Sequence, residues 1–411
     1  MTSLEKRAET LFRIGVGAAN PAQAVRAAMP GVLADPPEQG GRWQIIALGK
    51  AARAMALAAR EVLPEADTLV VTNPENMPDD PLEGITMIAG DHPVPAGGSL
   101  AAGQAIIAAL EGLTPADRVL ALISGGGSAL AVAPVAGVSL ADKAALSSAL
   151  LGSGADIVQM NLVRQHLSRL KGGGWLGWSP APVSALILSD VPGDDLRVIA
   201  SGPTVGRIGS ADEATELCRK IGIWSRLPAS VQGQLAGQTT AHSLAPARNE
   251  LVGSNALSVA AMVRAGAREA PFALDGRVDA LAPRIVALLA DMSPGEVLVF
   301  GGETTVALRG TGQGGRNQEL ALRVASAAEA AGISGDWVFL SGGTDGRDGP
   351  TDAAGGVVGP ESLGKMRAAG ISPEVALAEN DSYPALKAAG ALLMTGGTGT
   401  NVADLAVLIR G

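Results

Sequence analysis

The chain has 411 residues, 47% of them hydrophobic and 17% charged, with a formal net charge of -9. That balance requires a packed core, excludes a largely disordered chain and, without a Lys/Arg-rich stripe, disfavours a nucleic-acid binder. The single cysteine, Cys218, excludes an intrachain disulfide, and with only three histidines a structural zinc site is not expected.

Aromatic residues make up 2% of the chain, so the core must be built from Ala, Leu, Val and Ile, a composition that suits helices packed on parallel strands. The length argues for two domains. Glu5, Glu9 and Arg13 break up the N-terminal apolar residues, which therefore do not read as a signal peptide. No apolar stretch reaches the roughly 18 residues that suggest a spanning helix. A reduced, cytoplasmic enzyme is the expectation, with Cys218 a buried thiol in the helical pattern ATELCRKIG.

In chain order, residues 3–29 read as helix with a break at Pro21, and a polar loop follows through Gly41. Then one grammar repeats: an apolar run, a glycine-rich or acidic turn, an alanine-rich helix. Ile45–Leu48 leads into Gly49-Lys50. Thr68–Val71 leads into a Pro/Asn/Asp loop. Val119–Ile123 leads into Ser124-Gly125-Gly126-Gly127-Ser128, and Ala185–Leu188 into Ser189–Asp194. Residues 156–173 read as one amphipathic helix that Gly172 stops, with Arg164, His166, Arg169 and Lys171 near its end. Apolar periodicity is lost around 232–248, which puts a domain boundary near 240. The grammar resumes with Glu296–Phe300 before Gly301–Thr305, Trp337–Leu340 before Ser341–Gly356, and Ala391–Met394 before Thr395–Asn401. Continuous apolar runs alternating with helices predict an α/β fold. We expect two αβα domains with mainly parallel sheets, residues 1–240 and 241–411, with polar turns gathered at the strands' carboxyl ends and the active site in the inter-domain cleft.

The turns carry the chemistry. Ser124–Ser128 can form a nest of amides for a phosphate or carboxylate, with Ser128 capping the helix behind it, or can simply be a tight turn of small residues. Lys50 opens a helix, where the macrodipole disfavours a cation, so it reads either as the contact for an anionic ligand or as a solvated surface lysine. Arg316 opens the helix of ELALRVASAAEAA in the same way and can hold an anion bidentately. Gly310–Gly315 fits G-x-G-x-x-G, but VLVFGGETTVALRG reads as two short strands joined by a turn, a poor context for a dinucleotide site. Ser341–Gly356 places Asp345, Asp348 and Asp352 among glycines, either as a metal–phosphate site at a strand end or as a hairpin turn. Magnesium needs only one or two carboxylates plus substrate phosphates.

Taken together, GKAARAMA, GDHPVP, LISGGGSAL, NLVRQHLSRLKGG, LSDVPGDDLRVIASGPT, GGETTV, GGRNQELAL, SGGTDGRDGPTDAAGGVV and TGGTGTNVADL resemble the glycerate 2-kinase family, whose members carry a C-terminal MOFRL-type domain and are often labelled hydroxypyruvate reductases. The resemblance runs from about residue 8 to the C-terminus. It implies a Rossmann-like N-terminal domain, a MOFRL-type C-terminal domain, and ATP- and Mg2+-dependent phosphorylation of D-glycerate at its 2-hydroxyl. It places the family's important lysine on Lys50 and its important arginine on Arg316. The chain departs from the family at Gly174-Trp175-Leu176-Gly177-Trp178 and at Ala96-Gly97.

The expected machinery follows. Lys50 and Arg316 neutralise anionic charge. Ser124, Gly125, Gly126, Gly127 and Ser128, with Arg164, Lys171, Glu303, Asn317, Thr344, Thr398 and Asn401, contact substrate or nucleotide. Asp190 or Asp345 acts as base, and Asp190, Asp345 and Asp348 hold metal. The expected partners are D-glycerate and a nucleotide, with no nucleic acid or membrane, and a homodimer is an allowed assembly. The alternatives are an NAD(P)H-dependent hydroxypyruvate reductase and a non-catalytic sugar-acid or nucleotide sensor.

Overall fold

The computed structural model describes residues 2–237 and 247–411. The expected boundary near 240 lies outside the described residues. The chain forms two compact units: Pro21–Val252, and Met1–Asn20 together with Gly253–Gly411.

The first unit holds β1 (Trp43–Leu48), β2 (Asp67–Thr72), β3 (Ile85–Ala89), β4 (Arg118–Ile123), β5 (Val183–Leu188) and β6 (Arg248–Gly253), in the order β3-β2-β1-β4-β5-β6. The pairings from β3 through β5 are parallel. Ile46, Leu48, Val71, Ala121 and Ile123 pack with Ala102, Ile106 and Leu110 of the helix Gly97–Glu111. The intervening Ile45, Ala47, Val70, Leu120 and Leu122 are as deeply buried, so both sheet faces are covered. That is why the runs are continuous rather than alternating. Each such Ile, Leu or Val side chain contributes about 1.5–3 kcal/mol on burial. The strand order reverses between β1 and β4, and in open α/β sheets ligands bind outside the carboxyl ends of such a pair. Beside the sheet, helices Leu140–Gly152, Ile157–Gln165, Ala211–Lys220 and Ala229–Ala236 enclose Leu146, Leu150, Val163, Cys218, Val231 and Leu235. Cys218 is fully buried there, as expected.

The second unit holds β7 (Arg268–Glu269), β8 (Leu274–Arg277), β9 (Val297–Thr305), β10 (Trp337–Gly343), β11 (Gly355–Val358), β12 (Leu392–Leu393) and β13 (Asp404–Arg410). The order is β12-β11-β10-β13-β9-β7, with β8 also on β9. Mainly parallel sheets were expected, and this sheet departs from that: β13 runs antiparallel to β9 and β10, and β11 antiparallel to β10 and β12. Only β7 and β8 lie parallel to β9. The sheet is buried on both faces, so its strands carry the same unbroken apolar runs as a parallel sheet, and strand direction cannot be read from them.

The N-terminal helix Ser3–Ala18 belongs to this unit rather than to the first. Its Leu11 and Phe12 pack with Met262, Leu340, Leu405 and Val407. Gly15 lets it approach closely: a Cβ there would lie 2.7 Å from Leu405 Cδ1. Helices Val278–Asp291 and Arg316–Ala330 bury a separate set that includes Leu281, Ile285, Leu320 and Val324. β9 is one strand of nine residues, not the two-stranded hairpin expected from VLVFGGETTVALRG. Gly302 continues it at φ +142, where β8 leaves no room for a side chain.

Candidate active site

In the first unit the turns after β1 and β4 interlock. The Lys50 amide donates to Gly125 O at 2.9 Å, and the Ser124 amide to Leu48 O at 2.9 Å. Ser124 is 1% exposed, and its hydroxyl accepts from the Ala51 amide at 3.1 Å. Ser124 therefore satisfies a donor at the start of the helix Ala52–Arg60 and braces the two turns. Lys50 is exposed on this brace, and among the described residues it forms no ion pair. Its Cγ and Cε, with His92 Cδ2, lie within 3.5 Å of where a Gly126 Cβ would stand, and Gly126 is left-handed at φ +84. His92 is held below its usual range by burial and by Lys50, with Glu75 opposing. On the other side, a Cβ on Gly125 would fall 2.0 Å from Asp190 Oδ2. Lys50, His92 and Asp190 thus surround one glycine turn.

Ser128 does not cap a helix as expected. The short helix Gly127–Leu130 starts from Gly126, and Ser128 Oγ lies 2.7 Å from Ser201 Oγ. The single helix expected over 156–173 also fails: it ends at Gln165. Ser168 Oγ accepts from the Leu170 and Lys171 amides at 3.2 and 3.3 Å, a local turn that competes with helix. The turn carries Lys171 inward to 6% exposure, where Nζ donates to Ser128 O at 2.9 Å and Ser201 Oγ at 3.1 Å. Burial, then Lys143 and Arg164, hold Lys171 well below the usual lysine range. Arg164 keeps the expected last-turn position, and its Nε is buried without a partner among the described residues. His166 Nε2 contacts Gly209 O at 3.0 Å, a structural role.

In the second unit the cluster forms around the start of helix Arg316–Ala330. Arg316 Nε donates to Asp404 Oδ2 at 2.6 Å, Nη2 to Asp404 Oδ1 at 3.0 Å, and Nη1 to Glu303 at 2.7 Å. Asp404 is fully buried; burial pushes its carboxyl up, against the pull of Arg316. Asn317 Nδ2 donates to Asp404 at 2.9 Å and to Asp348 at 3.3 Å, while its Oδ1 accepts from Ser341 at 2.6 Å. Its side chain, expected on a ligand, is spent inside the unit.

Ser341–Gly356 is a hairpin connection, since β10 and β11 pair antiparallel from Phe339↔Val358 to Gly342↔Gly355. It also does structural work that a plain turn would not. Asp348 is 3% exposed and takes the Asn317 amide on Oδ1 and the Gln318 amide on Oδ2, at 3.1 and 2.8 Å. It therefore caps the helix from another loop, which a metal ligand facing outward would not do. Burial pushes its carboxyl up to about 6, against those donors. Asp345 is half-buried, and its Oδ1 accepts from the Arg347 amide at 3.0 Å. Asp352 accepts from the Tyr383 hydroxyl at 2.7 Å. Thr344, expected on a ligand, is fully buried; its Oγ1 donates to Ala403 O at 2.7 Å and accepts from the Val402 amide at 2.8 Å. Thr398 donates to Thr344 O, and Asn401 accepts from the Ala403 amide at 3.2 Å. Both Thr398 and Asn401 thus shape the loop before β13. Among the described residues no group of three or more His, Cys, Asp or Glu is placed to hold a metal.

The glycines of Gly310–Gly315 stand in the loop after β9, not in a tight strand-to-helix turn. Gly310 and Gly312 press on Glu379, Gly314 on Ser382 and Gly315 on Asp348. Close packing accounts for them without a dinucleotide.

Residues 7–236 match the family model described as Domain of unknown function (DUF4147), and residues 296–404 match the MOFRL family. Over 98% of each chain the sequence is 39% identical to the D-glycerate 2-kinase of Thermotoga maritima. The chain belongs to the glycerate kinase family. A crystal structure of a Thermotoga maritima glycerate kinase matches it with a TM-score of 0.90 at 37% identity, over 100% of both chains. A protein of Agrobacterium vitis named putative hydroxypyruvate reductase is 41% identical over 90% of this chain and 100% of that one. In this glycerate kinase family chain, sequence reasoning passed over Asp404, His92, Lys143 and Arg207. Asp404 and His92 sit in the quoted blocks TGGTGTNVADL and GDHPVP. Lys143 and Arg207 are isolated in sequence and carry no motif.

Proposed function

We propose that the chain is an ATP-dependent kinase that phosphorylates D-glycerate at its 2-hydroxyl, giving 2-phosphoglycerate and ADP. The observation that carries the reading is Lys50: an exposed cation without an ion pair among the described residues, set on the glycine turn where the order of a parallel sheet reverses. Phosphoryl transfer needs positioning and charge neutralisation more than covalent chemistry. Lys50 neutralises the transferring phosphoryl group or the acid's carboxylate. The Ser124 amide is taken by Leu48, so the turn offers a ligand its amides from Gly125 to Ser128.

We assign Asp190 as the group that orients or deprotonates the 2-hydroxyl, because it packs on the same turn as Lys50. Arg316 supplies positive charge from the second unit, held in place by Asp404 and Glu303. No all-protein cage for a divalent cation is present among the described residues, but magnesium bound through one or two carboxylates and substrate phosphates needs no more than a carboxylate such as half-buried Asp190 beside the glycine turn. When bound, that ion would offset phosphate charge. No described helix is long and apolar enough to cross a membrane; we infer a cytoplasmic location.

The test is direct. Incubated with ATP, magnesium and D-glycerate, the protein should form 2-phosphoglycerate, detected through enolase. In parallel, NADH absorbance with hydroxypyruvate should stay flat. NADH consumption without phosphoglycerate would replace the kinase reading with the reductase.

A further inference from the structure

We propose that Lys143, Arg164, Lys171 and Arg207, gathered around the Ser128–Ser201 contact, form a subsite for the polyphosphate tail of the nucleotide. The proposal rests on the kinase reading for the nucleotide, but its geometry lies wholly within the first unit. Lys171 is the innermost member, 6% exposed, and donates to Ser128 O and Ser201 Oγ. Ser201 Oγ donates in turn to Asn161 Oδ1 at 2.9 Å, three residues before Arg164 on one helix. Positions three apart share a helix face. Arg164 leaves a buried Nε without a partner among the described residues. Lys143 Nζ reaches Leu167 O at 3.1 Å and lies close enough to Lys171 to oppose its charge. Arg207 packs beside Gly172, where a Cβ would stand 2.6 Å from its Cγ.

Among the described residues no carboxylate forms an ion pair with any of the four. Glu213 lies on the His166 side, and its carboxylate accepts from the Ser210 amide in its own helix cap. Lys143, Arg164 and Lys171 are wholly or partly buried like charges without an ion pair among the described residues, which is costly in the free protein, and Arg207 lies exposed beside them. The acid's carboxylate would offset one of those charges, whereas a polyphosphate offsets several and accepts bidentately from arginine. The backbone at the centre is also strained: Ala200 and Ser201 take φ of 48 and 61, followed by Gly202 at 67. Non-glycine residues rarely hold such angles except where function requires them. Ser128 closes the glycine turn beside Lys50, so this subsite continues the anion cradle rather than standing apart from it.

Binding should also move protons. Burial and Arg164 hold Lys143 down to about 8, and Lys171 lies well below its usual range. A bound polyanion raises both, so protons are taken up near pH 8.

Calorimetric titration of the full chain with inorganic tripolyphosphate, ADP and D-glycerate separately tests this, in buffers of different ionisation enthalpy. Lys143→Met and Arg164→Gln should each weaken tripolyphosphate and ADP by about tenfold or more, as lost charge-assisted contacts do. D-glycerate affinity should change less than about twofold, and Lys143→Met should cut the proton uptake. Thermal melts check that both variants fold, and Lys143→Arg should restore binding. Unchanged tripolyphosphate affinity in folded variants overturns the proposal. So does a wild type that binds neither tripolyphosphate nor ADP, or a selective loss of D-glycerate instead. Loss of tripolyphosphate binding in the variants alongside a wild type that does not phosphorylate D-glycerate would retire the kinase reading and leave the subsite standing.

Discussion

Arg316 and Asp404 meet across 88 residues of sequence, with Nε and Oδ2 2.6 Å apart and Nη2 and Oδ1 3.0 Å apart. The contact is a bidentate pair between a one-third-exposed guanidinium and a carboxylate with no exposure. Asp404 begins β13 and Arg316 opens a helix, so the pair joins the sheet's central strand to the layer above it. Arg316 therefore has two functions: it presents positive charge, and it keeps a buried carboxylate satisfied.

Arg316→Ala should lower the unfolding free energy by about 3–5 kcal/mol, because it strands a buried charge. It should also lower kcat on the order of 10²–10³, as charge-stabilising groups do. Asp404→Asn in the Arg316→Ala background should recover much of the stability and none of the rate. Urea denaturation of the single and double variants measures the first effect. An unchanged midpoint in Arg316→Ala would refute the structural half of this account.

Lys50 is the contrasting case. It is exposed and anchored only through its backbone, to Gly125 and to Asn76, whose Nδ2 donates to Lys50 O at 2.8 Å. Lys50→Ala should change stability by no more than about 0.5 kcal/mol. Its kcat should still fall on the order of 10²–10³. Melting curves and steady-state kinetics on the same preparation separate the two quantities. A stable variant with wild-type turnover would remove Lys50 from the mechanism.

The sequence carried β1, β2, β4 and β5 of the first unit, because each is an almost wholly buried apolar run. β3 and β6 went unread, since their residues are largely half-buried or exposed and make no continuous apolar run. Strand direction in the second unit was not legible. Burial on both faces erases the alternation that marks most antiparallel strands, as in Trp337–Gly343, where every residue is buried. The positions of Lys50 and Arg316 at helix starts could be read from the macrodipole rule. The carboxylate that holds Arg316 could not, since Asp404 is brought near by tertiary packing alone. Asp348 shows the limit from the other side. A carboxylate in a glycine loop reads as a metal ligand, and nothing local tells that a helix 30 residues away offers it two amides. Lys143 and Arg207 had no signal of any kind, because a missing counter-ion is visible only in three dimensions.

Cys218 gives a pH-dependent test. Burial pushes its thiol from 9.0 up to about 11. The folded value is raised, so the neutral thiol stabilises the fold fully below pH 9, and that contribution is lost as pH rises through about 11. The loss is on the order of 2–3 kcal/mol. Wild type minus Cys218→Ala, followed by urea unfolding from pH 8 to 11, should show this decline. A flat difference would mean the thiol is not desolvated. At pH 8 the native thiol should react with Ellman's reagent only as fast as the chain unfolds.

Gly125 tests the turn itself. A methyl group there would stand 2.0 Å from Asp190 Oδ2 and 2.6 Å from its Cγ, so Gly125→Ala must displace the Asp190 carboxylate or the turn that carries Lys50. Either movement separates the two groups assigned to the chemistry, and misplacement of about 1 Å can cost on the order of 10² in rate. The expected outcome is a kcat lowered by that order while the protein stays folded. Gly233→Ala is the matched control: it lies in the helix Ala229–Ala236 with nothing within 4 Å of the new methyl. It should stabilise the chain by about 0.5–1 kcal/mol through helix propensity and leave kcat unchanged. If Gly125→Ala keeps full turnover, neither Asp190 nor the turn requires the geometry described, and the assignment of Asp190 to the 2-hydroxyl fails.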